Sequence, residues 1–348
     1  MKPLIKSKDS KKSTLYAVSI NIVLVCILCA GVVLAVCVGK YPVTPRESLG
    51  VIFSNLFGIQ NAASDMTQSV VLGLRLPRIL ASVIVGASLA ISGATYQGIF
   101  KNPLVSPDFL GVSAGACVGA AIAILLALSS GYIQVFAFIG GLVAVALTLL
   151  IPHLMRSNSN IMLVLSGIIV GGAMSSIMGF LKYVADPQTQ LSTITYWTMG
   201  SFSYISMNSL LSVLPSIVIP TIVLVLIAWW IDVLSLGESE AKTLGANVTL
   251  IRNIAVVCAT LLTASSVCIS GTIGWVGLVI PHLGRMIVWP SNTKLLPVAG
   301  LIGAIFMLVV DTATRTIGPA EMPISILTGI IGAPFYAWLL YKQRMKIR

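Results

Sequence analysis

The sequence predicts an all-α polytopic membrane protein with about ten transmembrane helices. Three observations carry that prediction. Of 348 residues, 57% are hydrophobic and only 9% charged, against about 25% charged in an ordinary soluble domain. Apolar runs of roughly 18 residues or more recur along the whole chain, each long enough to cross about 30 Å of hydrocarbon. The short alternating strands of a membrane barrel do not occur. Nothing outside the runs is long enough for a soluble domain with its own core, so residues 1–348 read as a single transmembrane domain.

The elements follow in order. A lysine-rich tail, 1–14, precedes the first run, 15–39. That run is too long for a signal-peptide core and no A-x-A site follows, so it reads as a retained helix. Further spans fall near 73–97, 109–128, 133–151, 161–184, 208–231, 250–268, 273–289, 296–312 and 323–341. Clusters such as "YPVTPRESLG", "FKNPLVSP", "RSNSN", "ADPQTQ" and "TRTIGPAE" separate them, as loop chemistry requires. Pro215, Pro220, Pro281 and Pro334 fall inside spans and predict kinks.

Charge sets the topology. The net charge is +11, and cations crowd both tails: Lys2, Lys6, Lys8, Lys11 and Lys12, then Lys342, Arg344, Lys346 and Arg348. With both tails cytoplasmic, fifteen of the twenty-one Lys and Arg residues fall inside. Lys40, Arg46, Arg75, Arg78, Lys182 and Arg315 fall outside, against the trend. No basic patch is interleaved with aromatics, which argues against nucleic acid as a partner.

The chain lacks much chemistry. It has no GxxxxGK[ST] phosphate loop. No acidic residue lies in mid-span, where ion-coupled carriers bury one; Asp108, Asp232 and Asp311 all sit near ends. His153 and His282 have no partners at ligand spacing, and Cys26 and Cys29 have no second pair. No nucleophile and base pair up. The expectations are therefore no catalytic residue, no metal site, no bound cofactor and energy supplied from elsewhere.

Four segments hold functional signals beside plainer readings. "GVSAGACVGAAIA" and "SGIIVGGAMSSIMG" suit close helix packing, and the second also suits the lining of a wide path. "LSLGESEAKTLGANV", 234–248, is too polar to cross. Leu236, Ala241, Leu244 and Val248 form a stripe at helical spacing, with short helices expected to flank Gly245. It reads either as a solvated loop or as a docking knob. "SGATYQGIFKNPLVSPDFLG", 92–111, contains turn chemistry at Asn102 and a helix-capping candidate at Asp108, or else a gate.

Five segments together resemble the FecCD family: "LRLPR", "SGATYQGIFKNPLVSPDFLGVSAGA", "LGESEAKTLGANV", "SGTIGWVGLVIPHLGR" and "AEMPISILTGIIGAPF". They run collinearly from Gln68 to Leu340. Lys101 stands where Arg is usual and Ser325 where Gly is common, the latter bearing on close packing in the last span. The resemblance implies a permease subunit of an ATP-binding cassette importer with type II architecture, in a bacterial or archaeal cytoplasmic membrane. It implies cargo that is a metal chelate, a ferric siderophore first, with haem, vitamin B12 or molybdate as alternatives. Its implied partners are a second permease subunit, identical or related, two ATP-binding subunits that hold ATP and magnesium, and an extracytoplasmic binding protein.

Site residues follow from the same resemblance. Arg75, Arg78 and Arg315 would meet glutamates of the binding protein, with Pro77 fixing the turn that displays the first two. Leu236, Gly237, Glu238, Ala241, Leu244 and Gly245, within coupling helices at 232–249, would engage the ATPases. Asn102, Leu104, Ser159 and Asn160 would form the cytoplasmic gate. The competing reading is an autonomous ion-coupled carrier.

Overall fold

The computed structural model describes residues 4–58, 63–156, 160–288, 291–318 and 320–347. Its elements are α1 (Leu4–Cys37), α2 (Pro45–Phe57), α3 (Asp65–Gln68), α4 (Leu76–Phe100), α5 (Val112–Leu125), α6 (Ser130–Leu154), α7 (Asn160–Val184) and α8 (Gln190–Met199). They continue with α9 (Met207–Leu226), α10 (Ala228–Leu236), α11 (Glu238–Thr243), α12 (Val248–Ser270), α13 (Val276–Ile287), α14 (Asn292–Thr316) and α15 (Ile324–Ile347). Seven of these helical stretches are long and apolar enough to cross a membrane, and α5, α13 and α15 supply three shorter apolar helices. The ten expected spans are therefore all helical.

Three boundaries differ from the sequence reading. The second span is continuous helix from Asp65, because α3 runs through a π-helical stretch, Ser69–Arg75, into α4. Pro77 thus lies well inside the rod; the wider turn before it, closed by Leu76 N–H to the Val71 carbonyl, accommodates a residue with no N–H to give. The segment around "YPVTPRESLG" contains α2. Its start is a capping box: Thr44 accepts from the Glu47 amide at 3.3 Å and donates its own amide to Glu47 at 2.9 Å. The first helix begins at Leu4, so the basic tail from Leu4 onward forms its opening turns.

The core forms around α4 and α12. Gly86 of α4 lies against Gly303 of α14, so closely that a Cβ on either would overlap the other's carbonyl oxygen. The same logic packs "GVSAGACVGAAIA" in α5 onto α6. Hydroxyls then bridge the helices where hydrocarbon offers no competitor. Ser92 bonds the Ala259 carbonyl at 2.8 Å, Tyr96 bonds Thr260 at 2.8 Å, and Ser216 bonds Ser265 at 2.7 Å. The second small-residue stretch behaves differently. In α7, Val170 and Met174 are buried, while Gly172, Ser175, Ser176 and Gly179 are exposed.

The chain gives the bundle two distinct ends. The C-terminus of α1, the connection after α14 and the start of α15 share one of them, here the arginine end. The opposite end carries α10 and α11, here the elbow end. The start of α1 and the end of α15 lie at the elbow end, because α1 runs toward the arginine end and α15 away from it.

Candidate functional site

At the arginine end the three guanidinium groups are not displayed. Arg75, Arg78 and Arg315 are all buried. The reason is the end of α1. A helix leaves its last carbonyls without partners, and these carbonyls draw cations. Arg75 donates to the Val36 carbonyl at 2.6 Å, the Cys37 carbonyl at 3.2 Å, and the Tyr41 carbonyl. Arg315 donates to the Ala35 and Val38 carbonyls at 3.2 and 3.3 Å and to Thr312 Oγ1 at 3.2 Å. Two arginines from distant helices thus cap one helix end.

Arg78 is held differently. Its Nε donates to Asp311 Oδ1 at 2.8 Å, and its Nη1 reaches both oxygens of Glu321 at 2.8 and 2.9 Å. Asp311 is fully buried and also faces Arg315 Nε at 3.4 Å. Glu321 is not buried: 41% of its side chain is exposed. It also accepts a short hydrogen bond from Ser203, in the turn between α8 and α9. Burial works against ionisation of Glu321, but the bonds from Ser203 and Arg78 outweigh it and hold its carboxyl below its usual range. Nearby, three breaks in the helices are stitched together. The Ser201 amide donates to the Ser270 carbonyl at 2.8 Å, and the Ile324 amide to the Gly200 carbonyl at 3.0 Å. Ser325, in place of the common glycine, adds a bond to the Met199 carbonyl at 2.5 Å.

At the elbow end the expected stripe divides. Ala241 and Val248 are buried in a small cluster with Val233, Leu234, Ala246 and Ile251. Leu236 and Leu244 are exposed, at 64% and 55%. Gly237, whose φ of 146° ends α10 and restarts the helix in a new phase, takes Leu236 off the stripe, and Leu244 lies past the end of α11 as its C-cap. The break thus falls at Gly237 as well as at Gly245, which has a φ of 81° between α11 and α12. Glu238 pairs with Arg252 of α12, whose hydrogen bond holds the Glu238 carboxyl below its usual range.

Asp232 fastens this elbow to the bundle. It accepts from the Asn292 amide at 2.6 Å, Asn292 Nδ2 at 2.8 Å, Ser291 Oγ at 2.8 Å and Thr293 Oγ1 at 3.1 Å. A carboxylate of α10 therefore caps the N-terminus of α14 from outside, where orphan amides and the helix dipole favour it. The far end of α14 holds Asp311 and Arg315. At 1.5 Å per residue, this helix links the elbow to the arginine end over about 30 Å.

The expected gate segment shows turn chemistry. Asn102 Oδ1 accepts the Leu104 amide at 2.9 Å, after Lys101 has ended α4 in a left-handed conformation. Asn102 and Leu104 are exposed. Asp108 does not cap a backbone amide of α5; it accepts from the hydroxyls of Ser106, at 3.2 Å, and Ser113. Ser159 lies outside the described residues, and so does the side chain of Asn160, the first residue of α7.

Sequence reasoning did not single out Asp232 or Glu321 as site residues. Asp232 had a faint signal, a lone carboxylate at a span end. Glu321 lies near the start of the quoted "AEMPISILTGIIGAPF" segment, but nothing local marked its role, since its partners are 118 and 243 residues away.

Comparison with known proteins adds an independent line. A family model described as the FecCD transport family matches residues 26–342. The chain is 36% identical to the molybdate import system permease protein MolB of Haemophilus influenzae, over 97% of both chains. It is 40% identical to the hemin transport system permease protein HmuU of Yersinia pestis, over 81% of this chain and 86% of that one. It also superposes on a solved inward-facing conformation of a metal-chelate type ABC transporter. There the TM-score is 0.84 at 36% identity, covering 93% of this chain and 99% of the other.

Proposed function

Since the chain belongs to the FecCD transport family and is an ABC importer permease of that type, we propose that it moves a metal chelate, a ferric siderophore first, into the cytoplasm. Relatives are named for iron chelatin, hemin, cobalamin and molybdate, so haem, vitamin B12 and molybdate are the alternative cargoes. The arginine end faces outward and receives the binding protein. The elbow end and both termini face the cytoplasm, where two ATP-binding subunits hydrolyse ATP. A second permease subunit completes the path, and the exposed small-residue face of α7 lines it.

The observation that carries this reading is the elbow. Leu236 and Leu244 are bare leucines on a segment that is otherwise anchored, by its buried cluster to α12 and by Asp232 to α14. Exposed apolar side chains on a rigid support suit a protein partner. Motion of a docked ATPase would reach α14 through Asp232, and α14 runs to the arginine end. The shift between inward and outward states is then biased by ligand and nucleotide.

The test uses the assembled complex in lipid vesicles. Leu236→Asp and Leu244→Asp should release the ATPase subunits while the permease keeps its thermal stability. Retained association and retained stimulation of ATPase by the binding protein would overturn the coupling assignment.

A further inference from the structure

The docking of an acidic partner on Arg75, Arg78 and Arg315 meets an obstacle in this structure: each guanidinium is already engaged. For Arg75 and Arg315 the engagement is with the backbone carbonyls that end α1. Drawing either out would strip a helix end of its cap. Arg78 is different, because one of its two carboxylates, Glu321, is solvent-exposed and sits on a connection between helices. The exposed carboxylate covers the buried cation.

We propose that Glu321 is an internal competitor for the binding protein's carboxylate, and that docking exchanges one for the other on Arg78. The proposal rests on the importer reading above. It places the exchange at Arg78, while Arg75 and Arg315 cap the end of α1.

The exchange has a mechanical consequence. Glu321 bridges Arg78 of α4 to Ser203 in the turn between α8 and α9. Its own segment is tied to that region through Ile324 to Gly200 and Ser325 to Met199, and to α14 through the Met322 amide and the Thr314 carbonyl at 3.3 Å. While Glu321 holds Arg78, segments 200–206 and 320–324 are pinned to α4. An incoming carboxylate that takes Arg78 releases Glu321 and loosens both. Three guanidinium groups face two carboxylates here, so the cluster retains one net positive charge that attracts an acidic surface from a distance. Asp311 stays paired throughout, keeping Arg78 charged and fixed.

The experiment uses the permease with its ATP-binding subunits in nanodiscs at low salt, and the binding protein of the same importer as probe. Glu321→Gln should tighten binding about tenfold, the size of effect expected when a charge-assisted competitor is lost. It should also speed amide exchange in 200–206 and 320–324 before any partner is added. Ser203→Ala, which weakens the latch from its other side, should act in the same direction and more weakly. In the wild type, adding binding protein should speed exchange in the same two segments. Arg78→Ala should weaken binding. If Arg78→Ala weakens binding while Glu321→Gln and Ser203→Ala change neither affinity nor exchange, the latch is wrong and the docking reading stands. If Arg78→Ala leaves affinity unchanged, docking at Arg78 is wrong and the exchange falls with it.

Discussion

Asp311 accepts a hydrogen bond from Arg78 at 2.8 Å across 233 residues of chain, with the Asp311 side chain fully buried. The pair joins the start of α4 to the end of α14. A buried ion pair gives little net stability over an apolar replacement, yet breaking one is costly, because the survivor is a buried charge without compensation.

Asp311→Ala should therefore destabilise the protein by about 3–5 kcal/mol, seen as a lower unfolding temperature in detergent. Arg78→Met combined with Asp311→Leu should cost less than the two single changes summed. Strict additivity would show that the pair does not act as a unit.

Arg75 predicts a different failure. Arg75→Ala strips charge-assisted bonds from the end of α1, a loss of about 2–3 kcal/mol. Faster amide exchange should appear across residues 33–41. Arg75→Lys should recover only part, since an ammonium cannot match a planar fork to three carbonyls. Loss of partner binding with α1 unperturbed would contradict the capping role.

Asp232→Ala should separate ATP hydrolysis from transport. The cap it removes is worth about 1 kcal/mol, too little to unfold the chain. Without it the elbow can move while α14 stays still. ATPase activity should persist as cargo moved per ATP falls, and Asp232→Asn should fall between. An unchanged ratio would remove Asp232 from the coupling route.

Glu321 gives a pH dependence with a definite sign. Its carboxyl lies below the usual range when folded: burial opposes the charge, but Ser203, Arg78 and Arg315 favour it more strongly. Its contribution is therefore present above the ordinary glutamate value, about 4.3, and is lost as pH falls through the lowered folded value. The unfolding temperatures of wild type and Glu321→Gln should differ at neutral pH and converge in acid. A gap that widened in acid would reverse the assignment.

The spans were legible because crossing hydrocarbon demands long apolar runs, and such runs survive any packing arrangement. The capping box at Thr44 and Glu47 was equally local, and α2 was open to the same reading. The stripe in 234–248 was misassigned: helical spacing holds only within one helix, and breaks at Gly237 and Gly245 divide the segment into three. Charge counting put the three arginines on one side of the membrane, and the fold brings them to one end of the bundle. Their burial was not legible, because it depends on carbonyls of a helix about 40 residues away for Arg75 and 280 for Arg315. Asp232 and Glu321 share that feature: each makes its main contacts with residues that only folding brings near.

As proposed, this chain is a passive path, driven through its elbow by partners that hydrolyse ATP. The direct measurement is uptake into vesicles containing the permease, its ATP-binding subunits and its binding protein, with ferric siderophores, haem, cobalamin and molybdate as separate probes. A passive path of this kind gives uptake that requires ATP and all three components, and that Leu236→Asp abolishes. Uptake by the permease alone, driven by an ion gradient, would contradict it.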